Sequence, residues 1–230
     1  MPIKGSDIEN EGILSVAKIM CIAAKTAPKT MGRDSVVANI LSHNDIKPIC
    51  DILKKEATRL PFLGRDATTF ENANLGVLIG AKSCESDLNF NCGACGYSSC
   101  TDLSKAKKIL RSQRGPSCMF KILDAGIAAC FAAKIARDFG CDNRVFYSFF
   151  PANQLTLEPT EKSDKDLLPI LQKLKLIDAD IVCGIPLAVA SKNPFFDRSA
   201  FWSKEAIDQM VAKLYPAVHT RMVGLEKKQE

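Results

Sequence analysis

An α/β or α+β fold around a modest sheet is predicted by three observations. Apolar residues recur at helical spacing in several segments. Short buried runs, Leu75-Gly76-Val77-Leu78-Ile79 and Asp180 to Pro186, stand between those segments as strands. A long stretch rich in small residues, Met119 to Phe139, reads as a closely packed helix.

Taken in order, Glu11 to Ala27 predicts a helix, because Ile13, Val16, Ala17, Met20 and Ala24 share one face. Pro28 ends it. Ser35 to Leu41 is a short strand. Ser42-His43-Asn44-Asp45 turns into a helix capped by Asn44 or Asp45 that runs to about Leu60, where Pro61 stops it. Phe62 to Ala73 offers a second short helix. Leu75 to Ile79 then delivers the chain into a cysteine loop. In the helix Met119 to Phe139, Ala125, Gly126, Ala128, Ala129, Ala132, Ala133 and Ala136 let another backbone approach, either inside the core or at a homodimer interface. Arg144 to Phe150 is an aromatic strand, Thr156 to Lys165 a charged loop, and Asp166 to Leu176 a helix. Asp180 to Pro186 is a strand, Lys192 to Trp202 a loop, and Ser203 to Tyr215 a last helix.

The chain of 230 residues accommodates one domain, 1–230, with an inserted segment at 84–118. Its 31 basic and 26 acidic residues give a net charge of +5. Because they are scattered, they make no concentrated face for nucleic acid. No apolar run approaches the length of a membrane span, and Met1 to Asn10 is polar and acidic rather than a signal peptide. A cytoplasmic setting with reduced or metal-bound thiols is therefore expected for the 10 cysteines. His43 and His219 have no metal-ligand spacing and read as surface or capping residues. No dinucleotide or P-loop glycine motif is present.

Four cysteines, Cys92, Cys95, Cys100 and Cys118, stand at C-x2-C-x4-C-x17-C. Thiolates select soft metals and iron–sulfur clusters. Gly93 and Gly96 let the backbone take unusual conformations beside an inorganic core. A helix beginning at Cys100, capped by Thr101 or Asp102 and running to about Gln113, would turn its positive end to an anionic cluster. These residues read as ligands of a [4Fe–4S] cluster. A tetrahedral zinc site is the alternative, although a second C-x2-C pair is missing; unrelated buried thiols are the third reading. Cys21, Cys50, Cys130 and Cys183 sit among apolar residues as core side chains. Cys84 is a loop thiol, with a spare ligand or redox partner as its other reading.

Cys92-Gly93-Ala94-Cys95-Gly96-Tyr97-Ser98-Ser99-Cys100 with Cys118 is similar to the small [4Fe–4S] domain of carbon monoxide dehydrogenase/acetyl-CoA synthase subunits. The wider chain resembles an uncharacterised family of ferredoxin-domain proteins from anaerobes. Ala24 to Lys29, Gly115 to Cys118, Asp142-Asn143-Arg144, Gly184 to Leu187 and Lys192 to Arg198 carry that resemblance. The order of elements also resembles the nitroreductase-like flavoprotein fold, with the Ala27-Pro28 turn, the small-residue helix and the Gly-x-Pro strand end as its marks. The cysteine segment is an iron–sulfur insertion between the two halves.

That second resemblance implies FMN. The family's phosphate-binding arginines upstream of the first helix have no counterpart in Met1 to Asn10. Lys25, Lys29, Lys192 and Arg198 are the substitutes at hand for flavin or phosphate. Three functions follow. The first is an iron–sulfur (flavo)oxidoreductase passing electrons from the cluster to a flavin or small substrate in an adjacent pocket. The second is a flavin-free ferredoxin-like electron carrier serving a redox partner protein, and the third is a zinc-stabilised structural protein. The redox readings expect a cytoplasmic homodimer with no nucleic-acid or membrane partner.

Overall fold

The computed structural model describes residues 2–57, 61–110, 113–146, 176–196 and 209. Its centre is a four-stranded antiparallel sheet of β1 (Val36–Ser42), β2 (Leu75–Ala81), β6 (Ile181–Ala188) and β5 (Asp142–Asn143), in the order β1-β2-β6-β5. β2 pairs with β1 from Leu75↔Ser42 to Ala81↔Val36 and with β6 from Leu75↔Leu187 to Ala81↔Ile181. Side chains alternate across a strand, so β2 and β6 supply two cores.

On one face, Val77, Ile79, Ile185 and Leu187 pack under α1 (Gly5–Thr26) and α5 (Met119–Asp138). On the other, Leu41, Leu78, Val182 and Ala188 meet α2 (His43–Glu56) and α3 (Pro61–Glu71). The predicted alternation of helices and buried strands thus becomes a helix–sheet–helix stack.

The local chemistry moves several predicted boundaries. The first helix begins at Gly5, a turn and a half before Glu11, with Asp7 in its first turn complementing the helix dipole. The cap of α2 is Ser42, not Asn44 or Asp45: its hydroxyl accepts from the Asp45 N–H, and Asp45 Oδ2 accepts from the Ser42 N–H at 2.9 Å. This reciprocal capping box satisfies two donors, which neither candidate alone would do. Pro61 opens α3 rather than merely ending its predecessor, at the position where a missing N–H is tolerated.

The helix from Cys100 is short. This α4 spans Cys100–Lys105 and stops well before Gln113. Lys108 Nζ donates to the Leu103 carbonyl at 2.6 Å and terminates it. The chain then forms a hairpin of β3 (Ile109–Leu110) and β4 (Arg114–Gly115). Of the predicted strand Arg144 to Phe150, the described part makes a single bridge, Phe146↔Gly184; the rest lies outside the described residues. So do the charged loop 156–165, most of the helix predicted for 166–176, and Arg198, Phe201, Trp202, His219 and nearly all of the final helix.

Cys50 is a core side chain as expected. Cys130, by contrast, is exposed on the outer face of α5. Apolar residues surround the middle of that helix, so the outward position of Cys130 carries no sequence mark. Its inner positions Ala128, Ala132 and Ala136 pack closely against α1.

Gly80 is the tightest point of the sheet. A Cβ there would lie 2.5 Å from the Ile181 carbonyl oxygen and 2.7 Å from the Ala179 Cβ. Gly80→Ala is expected to destabilise the protein by about 2–3 kcal/mol through backbone displacement, read as a lower urea midpoint.

A candidate cluster-binding site of four cysteines

The segment between β2 and α5 is tied down at its base by one carboxylate. Asp180 Oδ2 accepts from the backbone N–H groups of Ser83 at 2.8 Å and Cys84 at 2.9 Å. Its Oδ1 accepts from Arg114 Nη1 at 3.2 Å. The Arg114 N–H in turn donates to the Asp180 carbonyl at 2.7 Å.

Next to this clamp, Gln113 lays its amide along β6. Its Nε2 donates to the Val182 carbonyl at 3.1 Å, and its Oε1 accepts from the Val182 N–H at 2.9 Å. Both ends of the loop are joined where the Cys118 N–H donates to the Ser83 carbonyl at 2.8 Å. On the outer side Lys121 Nζ pairs with Asp87 at 2.9 Å, which holds the Asp87 carboxyl below its usual range.

Cys92, Cys95, Cys100 and Cys118 line a single concavity on this base. Leu88, Phe90, Tyr97, Leu103 and Phe120 form its apolar wall, and no charged side chain lines it. Cys100 and Cys118 are buried, Cys95 is half-buried and Cys92 is exposed, so the opening lies at Cys92. Cys118 is the N-cap of α5, placing the positive end of a 20-residue helix at one of the four cysteines. Ser99, not Thr101 or Asp102, caps α4; its hydroxyl accepts from the Asp102 N–H at 3.0 Å.

The loop backbone is bent toward the sulfur atoms. Asn89 and Asn91 have φ values of 54° and 48°, and Gly93 and Gly96 have 75° and 84°. Asparagine tolerates this left-handed region and glycine adopts it freely. A hydrogen bond from the Asn91 backbone N–H lowers the Cys100 thiol from its ordinary value, against the opposing effect of burial; Ser86 and the Phe90 and Asn89 N–H groups add to the lowering. Asn91 Oδ1 also accepts from the Cys100 N–H at 2.9 Å.

The donor set fits an iron–sulfur cluster in kind: four thiols and polarised N–H groups around one uncharged concavity. Among the described residues, no three His, Cys, Asp or Glu side chains close around a point that a single metal ion could occupy.

Cys84 is not in that concavity. It is buried beside Ser117, with Sγ 3.9 Å from the Ser117 hydroxyl. Burial, and then the Asp180 charge, pushes its thiol up.

The cations expected at a flavin phosphate are dispersed. Lys25 pairs with Asp34 at the end of α1. Lys29 is buried and donates to three carbonyls there: Ala24 at 3.0 Å, Lys25 at 2.6 Å and Ala27 at 2.9 Å. It works as a helix C-cap, a role its position just past the last turn signals. Lys192 lies exposed on the loop after β6, and Arg198 lies outside the described residues. Sequence reasoning passed over Asp180, Gln113 and Asn91. Asn91 and Asn89 carried a readable signal, as asparagines in a turn beside the ligands.

Fold and site together define an α/β scaffold carrying a cysteine-lined loop between a central strand and a long helix. A BluB-like flavoprotein from Clostridium difficile 630 superposes with a TM-score of 0.50 at 11% identity, over 90% of this chain and 89% of that one. A nitroreductase with bound FMN from Desulfitobacterium hafniense DCB-2 aligns at a TM-score of 0.47 and 13% identity, over 84% and 80% of the two chains. The likeness to the first is one of fold, in line with the nitroreductase-like architecture expected from the order of elements. The family described as "Uncharacterized protein containing a ferredoxin domain (DUF2148)" matches residues 114–159 and 170–198. An uncharacterized protein of Archaeoglobus fulgidus is 32% identical over 201 residues, covering 86% of this chain and 98% of that protein. The chain belongs to this family of ferredoxin-domain proteins.

Two outcomes test the geometry. Asp180→Ala strands the buried Ser83 and Cys84 N–H groups and the Arg114 charge, so a loss of about 3 kcal/mol is expected. Hydrogen exchange at residues 83 and 84 should accelerate with it. In cluster-free protein, iodoacetamide should modify Cys100 with a half-maximal rate at lower pH than Cys84. The thiolate is the reactive form, and the two groups are shifted in opposite directions; coincident profiles would refute the hydrogen-bonding argument.

Proposed function

We propose that the protein is a redox protein in which Cys92, Cys95, Cys100 and Cys118 hold a [4Fe–4S] cluster, delivering electrons to a flavin or small substrate bound in an adjacent pocket. The observation that carries this reading is the convergence of all four cysteines on one uncharged concavity. A four-iron cluster takes one thiolate per iron, so its ligands surround a volume rather than a point. The ferredoxin domain in the family's description supports the same assignment.

The cluster would supply one-electron transfer. The chain's own contribution is to hold four thiolates, direct the N–H groups of Asn89, Phe90 and Asn91 toward Cys100, and keep Leu88, Leu103 and Phe120 between the ligands and water. Such hydrogen bonds and burial are the protein's means of setting a potential. The exposed Cys92 marks the edge through which electrons enter or leave. FMN as second cofactor is supported by the flavoprotein fold likeness. A homodimer belongs to the same reading and is supported by Ile8, Ile19 and Ile22, which stand exposed along α1. Among the described residues no helix is long and apolar enough to cross a membrane.

Anaerobically purified protein is expected to carry about four irons and as many sulfides per chain, with a broad absorbance that bleaches with dithionite. In Cys95→Ala the iron content should drop several-fold with loss of the brown colour. Full metal content in that variant would overturn the four-cysteine assignment, and a colourless, zinc-loaded wild type would replace the cluster with a structural metal.

A further inference from the structure

Two grooves beside α5 adjoin each other. The first, of about 690 Å³, lies between α5 and the β2–β6 face. Its walls are Ile79, Ile127, Phe131 and Cys183, its helix side is flattened by Gly126 and Ala129, and Gln113 is its one strongly polar lining residue. The second, of about 850 Å³, is lined by Lys134, Arg137, Arg144, Asn143 and Asn193. Cys130 and Val145 line both, so the apolar groove continues directly into the cationic one. Each has the size of a small-molecule site, which spans roughly 300–1,000 Å³.

The cationic end has donors to offer. Among the described residues Arg137 has no ion-pair partner, while Lys134 pairs with Asp138. Arg144 is fixed by donating to the Phe195 carbonyl at 3.2 Å and by lying 5.1 Å from the ring centroids of Phe146 and Phe196. A guanidinium has five donors, so most of its fork is left for an anion. The single carboxylate lining this end, Asp142, already accepts from Asn193 Nδ2 at 2.7 Å. About 12 Å of helix separates Ala129 from Arg137, within the reach of a polyol chain ending in a phosphate.

We propose that this continuous groove binds a flat aromatic ring system with an anionic tail, the chemistry of FMN. The ring system lies against Gly126 and Cys130, facing Cys183, and the phosphate lies on Arg137 and Arg144. The proposal rests on the flavin part of the function above but moves the site. Lys25 and Lys29, the cations expected from sequence, are engaged at the end of α1, whereas the α5 cations stand at the end of an apolar slot. Lys192 adjoins Asn193 of the second groove and is the one cation of the expected set whose neighbour lines this site.

The test uses full-length protein, anaerobically purified, with iron assayed and bound flavin removed. FMN and riboflavin are titrated separately by quenching of flavin fluorescence. Arg137→Glu is expected to weaken FMN at least about tenfold while leaving riboflavin within about twofold, since only FMN carries the phosphate. Gly126→Phe should weaken both at least about tenfold by filling the ring slot; a Cβ at that position meets no atom within 4 Å, so the fold accommodates it. Wild-type FMN affinity in both variants overturns the groove while leaving the flavin reading intact. Failure of wild-type protein to bind FMN overturns the groove and the flavin reading together, and the iron assay on the same sample decides the cluster independently.

Discussion

A single buried carboxylate holds the cysteine loop to the sheet. Asp180 sits immediately before β6 and reaches both ends of the inserted segment, through the Ser83 and Cys84 N–H groups and through Arg114. A loop of more than thirty residues would otherwise close at considerable entropic cost, with its ligand positions free to drift. The clamp divides that length into fixed points. Residues 83 and 84 are set by Asp180, 113 and 114 by the start of β6, and 118 by the Ser83 carbonyl. The cysteine-bearing turn at 92–100 is then supported at both roots by hydrogen bonds to the start of β6.

Burial and hydrogen bonding act against each other at the thiols. Moving a thiolate out of water raises its free energy, and an apolar wall worsens this. At Cys84 burial prevails and the group is held neutral. At Cys100 the Asn91 N–H, with Ser86 and the Phe90 and Asn89 N–H groups, prevails over burial and lowers the thiol from its ordinary value. The two cysteines differ in their neighbours: the Asp180 charge beside Cys84, and backbone N–H donors around Cys100. The left-handed residues Asn89 and Asn91 turn successive N–H groups toward one sulfur, forming an anion-binding concavity. Hydrogen bonding to the Cys100 sulfur is thus built into the loop backbone, independently of the cysteine spacing.

This explains what was legible in the sequence. The expected ligand set is a local feature: three cysteines and two glycines within residues 92–100, followed by Cys118, point to soft-metal chemistry without any fold. Strands β2 and β6 were legible as continuous apolar runs, α1 by its helical periodicity and α5 by its small-residue content. Asp180 and Arg114 were not, since a carboxylate and a guanidinium 66 residues apart look like two surface charges until a sheet brings them together. Lys29 shows the converse. Its charge suggested a ligand, but its position relative to the end of α1 had already assigned it to that helix's carbonyls. Arg137 and Lys134 escaped notice because the small residues before them marked α5 as a packing helix.

α5 is where the separate parts of the molecule become one device. Its first residue follows Cys118, its inner alanines set the spacing to α1, and its outer face runs from the apolar groove to Arg137. A helix of 20 residues is about 30 Å long, so one rigid element fixes the separation between the cysteine site and the cationic end of the groove. A hinge in α5 would make that separation variable. The absence of any proline from α5 and the continuous alanine contact with α1 keep it straight. The small side chains therefore serve close packing on the inner face, and Gly126 leaves the groove beside the helix open.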